Sequence, residues 1–119
     1  MTATSPLDLP LISLVHELSI GAISARALLV EALERFDQIE PTLQSFARID
    51  RRAAFEHADE GDRRLRNGQA RGVLEGIPVG IKDIFDTAGM VTEYGTPAFK
   101  GHVPGLSAEA VSSLQYAGG

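Results

Sequence analysis

Lys82 is the residue whose type and position best suit chemistry in this sequence. It ends the run of residues 76–82, GIPVGIK, in which every residue before the lysine is glycine, proline or aliphatic. Such a run predicts a short strand buried on both faces. At the end of that strand burial would lower the pKa of Lys82 and make it a candidate general base. The alternative is that Lys82 extends to water as an ordinary cation.

Two other kinds of site fit the sequence poorly. A phosphate-binding loop needs glycine followed directly by lysine and then serine or threonine, but Ile81 separates Gly80 from Lys82 and Asp83 follows. A metal pair of Asp83 and Asp86 would lack a histidine or further carboxylate at ligand spacing. The three histidines are scattered along the chain: His16, His57 and His102. The sequence therefore predicts neither a nucleotide site here nor a metal site.

No serine has the setting of a nucleophile. The Gly-x-Ser-x-Gly elbow is missing, because the segment around Ser107 lacks its final glycine. Ser107 is better interpreted as the N-cap of a helix, and Ser112 and Ser113 fall inside that helix. There is no cysteine, which excludes a thiol nucleophile and a disulfide framework. The chain thus offers a candidate base without a nucleophile.

Composition limits the class of protein. The chain has 119 residues, 44% hydrophobic and 23% charged, as in one globular domain. A net charge of −5 argues against direct binding to nucleic acid or to an anionic membrane. No secretory signal is visible at the N-terminus and no apolar run approaches the ~20 residues of a membrane span. We expect a cytoplasmic location.

Periodicity predicts three helices in the first part of the chain. Residues 1–10 form a loose lead-in, and residues 11–119 form the incomplete N-terminal portion of a larger domain. A first helix has an apolar face and ends near Gly21. The second begins at the N-cap Ser24, carries an apolar face and is stopped by Pro41. The third runs from about residue 51 to 67, between the N-cap Asp50 and the C-terminal Gly68. The predicted apolar positions are Leu11, Leu14, Val15 and Leu18 in the first helix, Leu28, Leu29, Ala32, Leu33, Phe36 and Ile39 in the second, and Ala54, Phe55, Ala58 and Leu65 in the third.

The predicted strands are too few for a complete sheet. Residues 45–49 alternate weakly and residues 76–82 form the apolar run, while residues 86–106 lack periodicity and a last helix follows Ser107. A strand buried on both faces needs neighbours on both edges. The pattern is typical of the front end of an α/β protein, cut before most of its sheet.

Three segments resemble the amidase signature family: LEGIPVGIKD at 74–83, DTAGM at 86–90 and YGTPA at 94–98. The resemblance extends from about Leu11 to the end of the chain. It implies an α/β/α layered fold around a mixed sheet, truncated here after the first helices and one or two strands. It also implies hydrolysis or transfer of a carboxamide in a small-molecule amide, without a cofactor.

The resemblance assigns one catalytic residue to this chain. The family uses a serine nucleophile, a second serine in a cis peptide and a lysine, which matches Lys82. Asp83 matches the residue that commonly follows the lysine, with an expected structural role. Both family serines lie beyond Gly119, and Ser112 and Ser113 do not match them. We therefore expect an N-terminal fragment of an amidase that is inactive alone, with no substrate-binding residue assigned.

A second hypothesis is a short non-catalytic binding module. Under this hypothesis the apolar run at 76–82 presents an exposed strand edge, and a partner protein pairs with it.

Overall fold

The computed structural model describes residues 4–119, so the first three residues of the predicted lead-in lie outside it. Its α-helices are α1 (Leu11–Ser19), α2 (Ala25–Leu43), α3 (Arg51–Arg66) and α4 (Glu109–Tyr116). Short 3-10 turns occupy Pro6–Asp8 and Pro97–Phe99. Within this range, none of the helices combines the length and apolar composition that a bilayer crossing requires.

The core lies between α1, α2 and α3. Leu14 and Leu18 from α1 pack with the buried face of α2, and Ala58 from α3 closes the cluster. Leu28 of α2 is fully buried at 0% exposure. Burying apolar side chains of this size provides the main driving force for packing the three helices. The predicted inner faces of α1 and α3 are confirmed, whereas on α2 the apolar face stops short of Ile39, which is exposed.

Side-chain caps fix where α2 and α3 begin. The Ser24 hydroxyl accepts a hydrogen bond from the Ala27 N–H at 3.0 Å, and the Asp50 carboxylate accepts one from the Ala53 N–H at 2.9 Å. Each cap satisfies a backbone donor that has no partner within the helix. Gly68 follows α3 with a φ of 66°, a left-handed conformation that glycine adopts without strain. The predicted caps are therefore confirmed.

The prediction that Pro41 stops α2 is wrong, because the helix continues to Leu43. A proline in the last turn removes only one intrahelical hydrogen bond, and the helix can end just beyond it. Gln44 then adopts a left-handed conformation with a φ of 49°. The Glu40 carboxylate accepts hydrogen bonds from the Ser45 hydroxyl and the Phe46 N–H, both at 2.7 Å, and holds the chain as it leaves the helix.

The predicted role of Ser107 is also wrong. The residue that caps α4 is Ala108, without a side-chain hydrogen bond. The Ser107 hydroxyl instead accepts a hydrogen bond from the Ala88 N–H at 2.9 Å. Ser107 therefore connects two parts of the irregular segment that are distant in sequence, a pairing that local sequence does not reveal.

The predicted strands at 45–49 and 76–82 are wrong for the part of the chain that the structure describes. Neither segment joins a ladder of strand hydrogen bonds, and residues 4–119 contain no strand. The backbone N–H groups of Leu74 and Gly76 instead donate to Ala117 and Gly118 in the turn after α4. An apolar run becomes a strand only when another strand pairs with it. Since no strand edge forms within these residues, the binding-module hypothesis loses the feature that supported it.

Candidate functional site

Lys82 lies at a tight turn beside a cleft. Its carbonyl oxygen accepts hydrogen bonds from the N–H groups of Ile84 and Phe85, at 2.8 and 3.1 Å. The cleft has a volume of about 460 Å³ and lies between residues 45–48 and residues 80–92. Its charged lining residues are Arg48, Lys82 and Asp83. The turn therefore fixes the backbone of Lys82 at the wall of a cavity large enough for a small molecule.

The expected burial of Lys82 is not found in the described residues. Lys82 is exposed, and Val79 in the run before it is 39% exposed. None of the ion pairs formed among residues 4–119 includes Lys82. The apolar run has no strand on either edge within that range and so does not enclose its last side chain. Burial of this lysine requires additional packing partners.

Asp83 is part of an ion-pair network centred on Arg48. The Arg48 guanidinium donates to the carboxylates of Asp83 at 3.2 Å and Glu93 at 2.6 Å, and to the carbonyl of Val91 at 2.7 Å. The Asp83 carboxylate also accepts the Glu93 N–H at 3.0 Å. These three charged side chains are only 26–28% exposed. The network joins the segment after α2, the turn after Lys82 and residues 91–93.

Tyr94 anchors the loop beyond this network. Its hydroxyl donates to the Asp86 carboxylate, and this hydrogen bond raises the pKa of Tyr94 above its usual value. The Tyr94 ring packs edge-on against Phe99 with 5.0 Å between centroids, and it also contacts His102. Glu93 accepts the Gly101 N–H at 2.9 Å. The segment after Lys82 is therefore held by specific polar and aromatic contacts although it has little regular structure.

Glu75 fixes the other end of the apolar run. Its side chain is only 1% exposed, and its carboxylate accepts hydrogen bonds from Arg64 at 3.0 Å and from the backbone N–H of Arg71 at 2.8 Å. The Arg71 guanidinium adds two bonds of 3.2 Å. Burial alone would raise the pKa of Glu75, but the hydrogen bonds from Arg71 and Arg64 outweigh it and hold the pKa below its usual value.

Close backbone packing surrounds Glu75. Gly118 has a φ of 103°, and a Cβ atom there would lie 2.6 Å from the Glu75 backbone. Gly76 has a φ of 85°, and its Cβ would lie 2.8 Å from the Cβ of Ala25. Only glycine satisfies both the left-handed conformation and the short distance. The apolar run is thus clamped at its start between α2 and the turn after α4.

The sequence identified Lys82 and Asp83 but missed the residues that hold them. Arg48, Glu93 and Glu75 are distant from the lysine in sequence or separated from it by the apolar run. The visible signal for Arg48 was a charged residue inside the otherwise uncharged segment 45–49. Within residues 4–119, no group of three or more histidine, cysteine, aspartate or glutamate side chains is arranged to hold a metal ion.

A family model described as Amidase matches residues 27–119, a range that includes Lys82 and the network around Asp83. This chain belongs to the amidase family. It is 34% identical over 111 residues to one of the subunits of the glutamyl-tRNA(Gln) amidotransferase of Myxococcus xanthus. That match covers 93% of this chain and 23% of the relative.

Solved structures share the fold. The peptide amidase of Stenotrophomonas maltophilia superposes with a TM-score of 0.85 at 30% identity, over 93% of this chain and 23% of that one. A crystal structure described as an amidase gives a TM-score of 0.83 at 37% identity, over 92% of this chain and 25% of the other. The described residues therefore adopt the conformation of the corresponding part of an amidase-signature fold. This chain spans about a quarter of the length of these relatives.

Proposed function

We propose that this chain is the lysine-bearing N-terminal portion of an amidase that hydrolyses or transfers a carboxamide group, with Lys82 as its general base. The observation that carries the proposal is the position of Lys82, held by a backbone turn at the wall of a cleft within the segment that matches the amidase family. The substrate class is a small-molecule amide. The matched relatives include both a peptide amidase and a component of an amidotransferase.

The chemistry requires residues that this chain does not supply. A serine nucleophile and a second serine in a cis peptide would form the acyl-enzyme, and Lys82 would accept the proton relayed from the nucleophile. For this the lysine must be neutral, so it must be withdrawn from water. The exposed surface of residues 78–82 is where we expect the remaining strands of a mixed sheet to pack. Their packing would provide the low-polarity setting that the isolated chain lacks.

The decisive experiment replaces Lys82 in the complete enzyme that contains these residues. Lys82→Ala should reduce the acylation rate by about 10²–10⁴-fold or more, since general-base catalysis alone accounts for that range. Lys82→Arg should fail nearly as badly, because arginine keeps its proton. Lys100→Ala is the control, since Lys100 is exposed at the end of the Pro97–Phe99 turn. Near-normal acylation by Lys82→Arg would show that the lysine acts only as a positive charge.

A second experiment tests whether the 119 residues act alone. We expect no turnover of aliphatic or aryl amides and no labelling by a fluorophosphonate serine probe. The reason is that Ser112 and Ser113 lie on the short helix α4 and form no hydrogen bond to a base among the described residues. Stoichiometric labelling of any serine in the purified chain would contradict the proposed division of the catalytic residues. Sequencing the coding DNA beyond codon 119 identifies the complete enzyme for the Lys82 test.

A further inference from the structure

Arg48 is the centre of the contacts that fix the turn after Lys82. Its guanidinium bonds two carboxylates and one carbonyl, and all three acceptors lie between Asp83 and Glu93. The bonds to Asp83 and Glu93 place the planar donor group between two negative charges. Since Asp83 follows Lys82 directly, any shift of Arg48 is transmitted to the backbone of the lysine.

The same network balances charge next to Lys82. Asp83 and Glu93 carry two negative charges and Arg48 carries one positive charge, all on half-buried side chains. Without Arg48, two uncompensated carboxylates would remain near the lysine. A negative potential stabilises the ammonium form and raises the pKa of a lysine. Arg48 therefore opposes a change that would keep Lys82 protonated.

We propose that Arg48 is a positioning residue for Lys82: it orients the turn through Asp83 and offsets the charge of Asp83 and Glu93. Arg48 acts through these carboxylates and does not itself take part in the reaction. This inference rests on the proposed function, because it matters only if Lys82 must be deprotonated and correctly oriented.

The test uses Arg48→Gln in the complete enzyme, with Arg52→Gln as the matched control. Arg52 pairs only with Glu56 on the surface of α3, and its side chain is 83% exposed. We expect Arg48→Gln to lower kcat for acylation by about 10–100-fold with little change in KM, as misplacement of a catalytic group does. Its pH–rate profile should shift to higher pH by roughly half a unit to one unit.

Two further variants separate positioning from folding. Arg48→Lys keeps the charge without the planar fork, so it should restore the pH profile while recovering only part of kcat. Glu93→Gln removes one negative charge but keeps an acceptor for Arg48 and Gly101, and it should shift the profile to lower pH. A residue that only stabilises the fold would change the melting temperature without producing opposite shifts. If Arg48→Gln does not fold, the shift in Glu93→Gln decides the question.

The outcomes distinguish this proposal from the proposed function. Loss of acylation in Lys82→Arg together with wild-type kinetics in Arg48→Gln would overturn the role of Arg48 alone. A profile in Glu93→Gln that does not move, or moves to higher pH, would also overturn it. Near-normal acylation in Lys82→Arg would overturn the general base, and the positioning role with it.

Discussion

The helical half of the molecule and the irregular half are stabilised by different kinds of contact. In residues 11–66, three helices bury leucine side chains in one apolar cluster. In residues 67–108, order depends on buried ion pairs and turns, chiefly those of Glu75 and Arg48. Apolar packing is tolerant of direction, whereas hydrogen bonds between charged groups fix geometry. The half that carries Lys82 is the half held by directional contacts.

The largest expected difference between the halves is in hydrogen exchange. In the isolated chain, the amides of Leu29 and Leu33 should exchange at least about 100-fold more slowly than those of Val79 and Ile81. The first pair lies on the buried face of α2, and the second lies in the run without strand partners. The same chain should bind a dye specific for exposed apolar surface. Equal, strong protection of all four amides, with a sharp two-state melt, would abolish the distinction.

Leu28→Ala should weaken the helical half severely. Leu28 is fully buried, and truncating a buried leucine typically costs about 2–5 kcal/mol through lost burial and the cavity left behind. Opening free energies from exchange of α3 amides would measure the loss. Val30→Ala on the same helix is the control, since Val30 is 39% exposed and its truncation should change the value by no more than about 0.5 kcal/mol. Similar effects of the two substitutions would place the core elsewhere.

Glu75→Gln should destabilise the irregular half by about 3 kcal/mol, because it leaves the buried guanidinium groups of Arg64 and Arg71 without their carboxylate. Glu56→Gln, on an exposed pair with Arg52, should have almost no effect. Exchange of the amides at 74–77 would report the change.

The lowered pKa of Glu75 also predicts a pH dependence. A carboxyl group whose pKa is lower in the folded state stabilises the fold fully above its unfolded value of 4.5, and that stabilisation is lost as the pH falls through the folded value. The amides at 74–77 should therefore lose protection as the pH is lowered below about 4.5, and the Glu75→Gln variant should lack this part of the dependence. Identical acid dependence in both proteins would show that Glu75 is not the responsible group.

Ser24→Ala should have the smallest effect, about 1 kcal/mol, because it removes one cap hydrogen bond at the start of α2. The Asp62 carboxylate also accepts the N–H groups of Ala25 and Arg26, which limits the damage. Ser113→Ala on the exposed side of α4 is the control. Denaturant titration followed by far-UV circular dichroism would compare them, and equal midpoints would show that the serine cap contributes nothing.

Local sequence determined the helices and part of the site. The apolar spacing and the caps Ser24 and Asp50 identified α2 and α3, because helix periodicity and capping act over a few residues. The segment around Lys82 was recognisable for a similar reason, since the family motif is continuous in sequence. The end of α2 was misplaced at Pro41, because the loss of one hydrogen bond in a last turn is small compared with packing.

Only the tertiary structure decided which residues hold Lys82 and whether the apolar run pairs as a strand. Arg48 meets Asp83 and Glu93 across 35 and 45 residues of sequence, and Glu75 meets the turn after α4. Contacts at such separations depend on how the helices pack and leave no periodic signal. A strand also needs a second strand to accept its hydrogen bonds. The run at 76–82 has a strand-like composition, but among the described residues no neighbouring strand pairs with it.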